Sequence, residues 1–351
     1  MTSRERILAA MRFEKVDRVP ISPFGLGKLP DGSSIMAELL EKTDPFIESG
    51  VPGEWIFGTN SERIVQRDGD TATIIRRTPL GDLVEKHRNT GIATACIEFA
   101  LKTPEDAEKF LSIEYAAPDV VDTSAFFARK AEIGEQGMVL CGMADAVLVP
   151  AILLRPEDFC FWWADYPDLL LELTNVASKR LNDWVDRLCK AGVDAFRIVG
   201  GEFASVQLGP KGFDTLVLEQ DKELMDIIHS HGAIAYYHNH GHVMNYMSRF
   251  REIGMDALDP LEAPPWGDAN LKEARAICGD KVAFVGNLDD MEILDKRSAE
   301  EVKSMALELL SAAGDRGFIL GGTASATYTE HAARNFISLV DVAQSFAKSS
   351  K

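Results

Sequence analysis

Short apolar runs alternate with segments of helical spacing along most of the 351 residues. Each run is long enough for one strand, and between the runs the apolar positions recur every three or four residues, as on the buried face of a helix. Regular alternation of strands and helices without a linker predicts one α/β domain, a single (β/α)8 TIM-type barrel over residues 1–351. We assign the barrel strands to the runs at 19–24, 55–58, 138–143, 195–200, 233–237, 255–261 and 318–320 and to the run that begins at 282.

The hydrophobic period changes over about residues 70–101. The run ATIIRR, the turn TPLGDL and the run IATACIEFAL are typical of an antiparallel hairpin, which we expect to be inserted beside the barrel. An open, doubly wound parallel sheet is the alternative fold for a strand–helix alternation. We disfavour it because no glycine-rich dinucleotide-binding loop follows the first apolar run.

Composition narrows the class of protein. Hydrophobic residues make up 46% of the chain and charged residues 26%, as in ordinary soluble globular proteins. The net charge of -18 argues against a nucleic-acid partner, which would need a basic face. Five scattered cysteines without a CxxC pair, no secretory segment and no apolar run near about 18 residues predict a cytoplasmic protein without a membrane span.

Three of the seven histidines lie at alternate positions after one apolar run, in the sequence AIAYYHNHGH. In an extended segment positions i and i+2 face the same side, so His238 and His240 are predicted to project together from a strand end. Neutral imidazoles are common zinc ligands, and Glu202 and Glu262 follow neighbouring apolar runs, where they could complete the shell. We therefore predict a zinc site of these four side chains. The alternative is that the histidines are hydrogen-bonded residues of the barrel rim.

Polar side chains follow several other apolar runs. His242 lies where a helical pattern begins, and Asn287 and Asp289 could either orient a ligand or cap the next helix. His229 and His231 are expected at a helix carboxyl end, where a cation suits the helix dipole. The predicted catalytic residues are therefore His242, Asn287 and Asp289, and the predicted substrate-binding residues are Asp145, Thr323 and Tyr328, with Ser325 in the same segment as the last two.

Four segments of the chain carry a family resemblance. They are TSRERILAAMRFEKVDRVP, TPLGDL with LKTPEDAEKF, LGPKGFDTLVLEQDKELMDIIHSHGAIAYYHNHG and GDKVAFVGNLD. Together they resemble the uroporphyrinogen decarboxylase superfamily, and the resemblance covers essentially the whole chain. It implies a single (β/α)8 barrel and one of two activities, decarboxylation of a porphyrinogen or cobalamin-dependent methyl transfer.

Two motifs separate these branches. The decarboxylase has an arginine-rich segment after its first strand, whereas this chain reads ISPFGLGKLPDG, without arginine. The methyltransferase branch has a zinc site written His-x-Cys, with a further cysteine after the last strand. Here His238-Asn239-His240 matches the first part with histidine in place of cysteine, and Thr323 stands at the distal cysteine position. Some demethylating relatives use glutamate and histidine ligands, which Glu202 and His238 would suit.

We therefore expect a zinc-dependent methyltransferase that moves a methyl group between a small methylated substrate or thiol and a corrinoid protein. The zinc would act as a Lewis acid on the donor's ether oxygen or amine, or would lower the pKa of a thiol or bound water. A partner protein would carry the cobalamin, because no corrinoid module is evident in the sequence, and family analogy suggests a homodimer. A decarboxylase or lyase with His238, His240 and carboxylates as acid–base groups is the alternative enzyme. A non-catalytic binding protein is disfavoured by the titratable residues at three successive strand ends.

Overall fold

Two β-sheets account for the twelve strands in the computed structural model, which describes residues 1–323 and 327–349. Eight strands form a parallel sheet, and four form a separate antiparallel sheet. In chain order the strands are β1 (Ile21–Ser22), β2 (Phe46–Ser49), β3 (Arg63–Asp68), β4 (Thr71–Arg76), β5 (Leu83–Asn89), β6 (Thr94–Glu98), β7 (Met138–Ala144), β8 (Ala195–Val199), β9 (Ile234–His238), β10 (Ala257–Asp259), β11 (Ala283–Asn287) and β12 (Phe318–Gly321).

The eight parallel strands curl into a barrel. They pair in the order β1-β12-β11-β10-β9-β8-β7-β2, so that consecutive barrel strands are neighbours and the last strand pairs with the first. Between the two edges, Phe24 and Phe46 form a parallel bridge, and the N–H of Gly25 donates to the carbonyl of Phe46 at 2.7 Å. The predicted (β/α)8 barrel is thereby confirmed, and the carboxyl ends of its strands open at one mouth.

Helices follow the barrel strands and surround them. Thr2 caps the first helix in a capping box with Glu5, and Ser298 with Glu301 repeats this motif near the chain's end. Short 3-10 segments lie at Gly134–Gln136, Val243–Tyr246 and Gly279–Lys281, and a π-helical turn at Asp290–Leu294. The α-helices of the described residues are α1 (Ser3–Met11), α2 (Ser34–Lys42), α3 (Pro104–Leu111), α4 (Ser124–Ile133), α5 (Leu148–Leu153), α6 (Pro156–Asp165), α7 (Pro167–Lys190), α8 (Gly201–Gln207), α9 (Gly209–Leu216), α10 (Leu218–Ser230), α11 (Met247–Ile253), α12 (Leu271–Cys278), α13 (Ala299–Ala313) and α14 (Glu330–Ser349).

The inside of the barrel changes from apolar to polar towards the mouth. Ile7, Ala10 and Met11 of α1 pack with the first residues of the strands and cover the opposite end. Because side chains alternate between the two faces of a strand, the residue two positions beyond an inward-facing one also points inward. The buried lining residues are Phe46, Ala195, Tyr236, Ala257 and Val285, and the inward positions that follow them are Glu48, Arg197, His238, Asp259 and Asn287.

One barrel strand was predicted in the wrong place. We expected the second strand at 55–58, but the structure has β2 at Phe46–Ser49, and residues 55–57 form a turn. β2 pairs with β7 over all four of its residues. Its sequence, FIES, was missed because it is short and carries a charged residue on its inward face, where an apolar one is expected.

The inserted unit is larger than the predicted hairpin at about 70–101. Four antiparallel strands in the order β3-β4-β5-β6 make up this inserted sheet, which begins at Arg63 and ends at Glu98. The first strand, RIVQRD, is mostly exposed, so that its hydrophobic pattern is weak. Among the described residues, no helix has both the length and the apolar character that a membrane crossing requires.

Candidate active site

His238 is the last residue of β9, and its side chain points into the barrel mouth. It is 4% exposed, and its Nδ1 forms a hydrogen bond of 3.0 Å with Oδ1 of Asp259. The two residues are direct cross-strand partners, because β9 and β10 pair with His238 opposite Asp259. Two neighbouring strand ends therefore deliver the imidazole and the carboxylate to the same point. An ionised carboxylate only accepts hydrogen bonds, so the Nδ1 atom carries the proton.

His240 forms a second histidine–carboxylate pair nearer the solvent. Its Nδ1 lies 3.0 Å from Oε1 of Glu262, and the two side chains are 43% and 13% exposed. The contact with Glu262 raises the pKa of His240 above its ordinary value, although burial opposes this shift. Burial would raise the pKa of Glu262, but the interaction with His240 and a 2.9 Å hydrogen bond from the N–H of Gly241 bring it below its usual range.

The two imidazoles contact each other. Their ring centroids are 4.4 Å apart and their planes are perpendicular. Each ring is held through Nδ1 by its own carboxylate, and neither Nε2 has a hydrogen-bond partner within residues 1–323 and 327–349. A carboxylate on Nδ1 fixes ring orientation and leaves Nε2 for a proton, a substrate atom or a metal ion. This arrangement is the central feature of the mouth.

The predicted zinc ligands are only partly brought together. His238 and His240 are adjacent, as expected, but Glu262 is engaged with His240 and Gly241, and Glu202 accepts the N–H of Gly200 at 3.2 Å. In the part of the chain that the structure describes, no three His, Cys, Asp or Glu side chains form a group that could hold a metal ion. The donor chemistry thus fits two nitrogen ligands with carboxylates behind them, and does not fit a closed four-residue zinc site.

A cavity of about 330 Å3 lies beside the His240–Glu262 pair, at the ends of β10, β11 and β12. It could hold a small molecule within reach of the rim. Three residues from the sequence prediction, Asn287, Asp289 and Thr323, line it together with Glu262, and Asn287 is the buried last residue of β11. The aromatic side of the cavity is formed by Trp266, which is 60% exposed.

Two of these cavity residues already have structural partners. The carboxylate of Asp289 accepts the N–H groups of Met291 and Glu292, so it caps the next helical turn, the second of the two roles left open for it. The N–H of Thr323 donates to Asp290 at 3.2 Å. A side chain on the neighbouring Gly322 would collide with that same carboxylate, so protein atoms fill the space above this glycine.

The last predicted substrate residue is deeply buried. Tyr328 is 0% exposed, and its hydroxyl donates to the carbonyl of Gly25 at 2.6 Å, which ties the segment after β12 to the loop after β1. Burial raises the pKa of this phenol. Tyr328 does not line the 330 Å3 cavity. Ser325 lies outside the described residues.

Asp145 follows β7 as predicted but lies in a buried acidic cluster. It is 0% exposed and accepts the N–H of Leu148 at 2.9 Å, while the hydroxyl of Tyr237 donates to Asp221 at 2.5 Å. Burial, and then the charge of Asp221, raise the pKa of Asp145 well above its ordinary value. Since Tyr237 lies between the inward-facing Tyr236 and His238, this cluster sits behind the barrel wall rather than in the mouth.

The three other histidines considered in the sequence analysis lie where they were expected. His242 directly precedes the 3-10 segment Val243–Tyr246 and is exposed. His229 is in the last turn of α10, and His231 follows the helix end. Their Nε2 atoms lie 3.0 Å from Asp256 and 2.9 Å from Asp186 respectively. Both are therefore ion-pairing residues at a helix end.

Sequence analysis missed two charged residues of the mouth, Arg197 and Glu48. The Nη1 of Arg197 on β8 lies 3.0 Å from Oε2 of Glu48 on β2, past the intervening strand β7. A signal was available, because Arg197 is the central residue of the otherwise apolar strand AFRIV, where alternation with Ala195 places it inside. Asp259 was also missed, since its role depends on its register with His238.

A model of the family "Uroporphyrinogen decarboxylase (URO-D)" matches residues 97–346, which is more than half of the chain. The chain belongs to the uroporphyrinogen decarboxylase family. The match starts within β6 and includes every strand end that carries the histidine–carboxylate pairs. It leaves out the first two barrel strands, where the sequence lacks the arginines of the decarboxylase branch.

One solved structure shares this fold over its whole length, and a second was compared with it. A methyltransferase from Methanosarcina mazei superimposes with a TM-score of 0.63 at 15% identity, and the alignment covers 99% of each chain. A B12-independent methionine synthase from Shewanella sp. W3-18-1, solved with selenomethionine, has a TM-score of 0.49 at 12% identity, covering 95% of this chain and 98% of that one. No curated protein gives a significant match. At these identities the first similarity supports the barrel fold over the whole length.

Proposed function

We propose that this family member is a methyl-transfer enzyme whose reaction takes place at the two imidazoles of the barrel mouth. The observation that carries this proposal is the pair His238 and His240, each held by a carboxylate on Nδ1 and each with an Nε2 that has no partner among the described residues. The rings differ in exposure, so that one is set into the barrel and the other faces arriving molecules. A small methylated molecule would bind in the adjoining 330 Å3 cavity.

We further propose that the Nε2 atoms of His238 and His240 hold zinc. Asp259 and Glu262 would orient the rings, which is a usual role of carboxylates behind histidine ligands. When bound, the metal supplies a Lewis acid that polarises the donor's oxygen or nitrogen, or stabilises a thiolate acceptor. Substrate and water would take the coordination positions of the metal ion that His238 and His240 leave open. All-nitrogen ligation with open positions favours an exchangeable ion over a permanently bound one.

The other end of the methyl transfer would be the cobalt of a corrinoid that a separate protein carries. The described residues form the barrel and its inserted sheet, and they contain no further module for such a cofactor. A methyltransferase is among the proteins that share this fold over their whole length; this is an analogy of fold, and the class of reaction is argued from the histidine pair.

Metal content per chain tests the ligand assignment. We expect wild type to bind zinc, His238→Ala and His240→Ala each to lose most of it, and His242→Ala to keep it, because His242 lies outside the pair. Transfer from methylated donors to an added Co(I) corrinoid, followed by absorbance, tests the reaction in the same four proteins. Equal zinc in wild type and His240→Ala would refute the metal site.

A decarboxylase or lyase is the second candidate, and the raised pKa of His240 favours it. A protonated imidazole at the rim would stabilise the negative charge left on the substrate carbon as the C–C bond breaks and carbon dioxide departs, and would then donate its proton to that carbon. The absence of a three-ligand metal group among the described residues agrees with this acid–base alternative. The measurement is release of carbon dioxide from a carboxylated substrate. An activity that metal-free wild type retains and that His240→Ala loses would favour the decarboxylase or lyase over methyl transfer.

A further inference from the structure

Arg197 is a cation inside the barrel mouth to which neither candidate reaction has assigned a role. Its guanidinium carbon lies 4.5 Å from the centroid of the Phe24 ring, and its Nη1 is 3.0 Å from Oε2 of Glu48. The Nε atom is buried and has no hydrogen-bond partner among the residues that the structure describes. A guanidinium stacked on an aromatic face keeps a fixed orientation, with its remaining donors available.

The two members of this pair are unequally exposed. The side chain of Arg197 is 11% exposed, whereas that of Glu48 is 42% exposed. The guanidinium has therefore lost most of its hydration and needs an anion beside it, while the carboxylate can return to water at little cost. Glu48 is thus the replaceable partner, and a second anion that reaches the mouth would compete with it.

Glu48 has few polar contacts besides Arg197. Gly142 faces it from β7, and a Cβ at that glycine would collide with the Glu48 carboxylate. No other hydrogen bond or ion pair of Glu48 occurs in the described part of the chain. Its departure would therefore break the contact with Arg197 and no other polar contact.

Arg197 is linked in space to the histidine pair through Tyr236. Arg197 is the cross-strand partner of Tyr236, and Val199 is the partner of His238. Burial raises the pKa of Tyr236, the charge of Asp259 raises it further, and the charge of Arg197 lowers it, so both groups lie close to this ring. Since Asp259 holds His238, a molecule that contacts Arg197 from the mouth lies next to the proposed reaction centre.

We propose that Arg197 binds a carboxylate of the substrate and that Glu48 occupies this position until the substrate displaces it. The substrate class is then a small carboxylate-bearing molecule, held by Arg197 at one end and presented to His238 and His240 at the other. This inference rests on the proposed function only in placing the substrate at the barrel mouth. Arginine suits the role because its planar donors match a carboxylate in two-point contact.

Binding of matched acid and amide probes tests the assignment. We would titrate 4-methoxybenzoate and 4-methoxybenzamide into wild type, Arg197→Gln, Arg197→Lys and Glu48→Gln by calorimetry. Wild type should bind the acid about tenfold or more tightly than the amide, since a charge-assisted contact is involved. Arg197→Gln should abolish this preference, and Arg197→Lys should keep part of it. Glu48→Gln should strengthen binding of the acid severalfold, because it removes the competing charge without changing the size of the side chain.

Equal binding of the two probes to wild type, or an unchanged preference in Arg197→Gln, would overturn the proposal. Weaker binding of the acid to Glu48→Gln than to wild type would also overturn the proposal. This comparison stays informative even if the Arg197 variants fold poorly, because Glu48→Gln keeps the buried arginine. Thermal unfolding of all four proteins reports on that disturbance. Because calorimetry measures neither turnover nor metal content, a failed methyl-transfer assay with an intact acid preference would refute the proposed reaction and leave Arg197 in its role.

Discussion

Replacing Glu262 by glutamine removes the charge of the His240–Glu262 pair and keeps its shape. The histidine is 43% exposed, so solvent screens the pair, and its electrostatic contribution falls in the surface range of about 0.5–1 kcal/mol. The substitution also turns the hydrogen bond from the N–H of Gly241 into a neutral one, for a further ~0.5 kcal/mol. We therefore expect a loss of about 1 kcal/mol near pH 6, or roughly 1–2 °C in Tm for a chain of this size.

The pH dependence of this loss distinguishes the ion pair from simple packing. The pKa of His240 is raised in the folded protein, so its contribution is complete below the unfolded value and disappears as the pH rises through the folded value. The pKa of Glu262 is lowered, so its contribution is lost only as the pH falls through that lower value. The stability gap between wild type and Glu262→Gln should thus be widest near pH 6 and small at pH 9.

Nuclear magnetic resonance titration of the histidine ring protons measures the same effect directly. In Glu262→Gln the pKa of His240 should fall, while that of His229 should stay raised, because its contact is with Asp256. His229 is therefore an internal control. An unchanged titration of His240, or a stability gap equal at pH 6 and pH 9, would refute the electrostatic account of the rim.

Three further predictions concern the surroundings of the site. Gly201→Ala should destabilise the protein by about 1–3 kcal/mol in denaturant unfolding, because the new Cβ would collide with the Tyr237 hydroxyl; a neutral effect would show that the loop adjusts. Burial raises the pKa of Asp221 to about 7, so ionisation of this carboxyl lowers the stability of the folded protein as the pH rises towards that value. The Tm of Asp221→Asn, compared with that of wild type, should therefore be more favourable at pH 8 than at pH 5. Thiol titration of the native protein should find at most two reactive cysteines, and all five should react after unfolding. The three protected thiols are those of Cys141, Cys189 and Cys278, which are buried and whose pKa burial raises.

The barrel could be predicted because most of its strands are apolar runs between helices of clear period. Residues 138–143 and 195–200, for example, correspond closely to β7 and β8. β2 could not be found in this way, because only Phe46 and Ile47 are apolar and its third residue is a charged group that faces the mouth. A charged residue thus replaced the hydrophobic signal on which the strand prediction depends.

The sequence predicted the two histidines of the candidate site but not the carboxylate that holds His238. The i and i+2 spacing placed His238 beside His240, and the structure has their rings in contact. Which group lies on each Nδ1 depends on how β9 pairs with β10, and that register is a property of the folded barrel. For this reason Asp259 was not anticipated. Glu262, which we predicted as a metal ligand, contacts His240 in this structure, and its role as a ligand stays a prediction.

Pairing of the first barrel strand with the last has a consequence for synthesis of the chain. Ile21 is hydrogen-bonded in register with Leu320, so this strand pair forms only after the 299 positions that follow Ile21 have been synthesised. Until β12 has emerged, β1 has one edge without a partner, and the loop that carries Phe24 has no hydroxyl of Tyr328 to hold it. Contacts of such large sequence separation slow folding and leave strand edges exposed to other chains. Until its last strand has been made, the nascent barrel therefore exposes an unpaired strand edge to other chains.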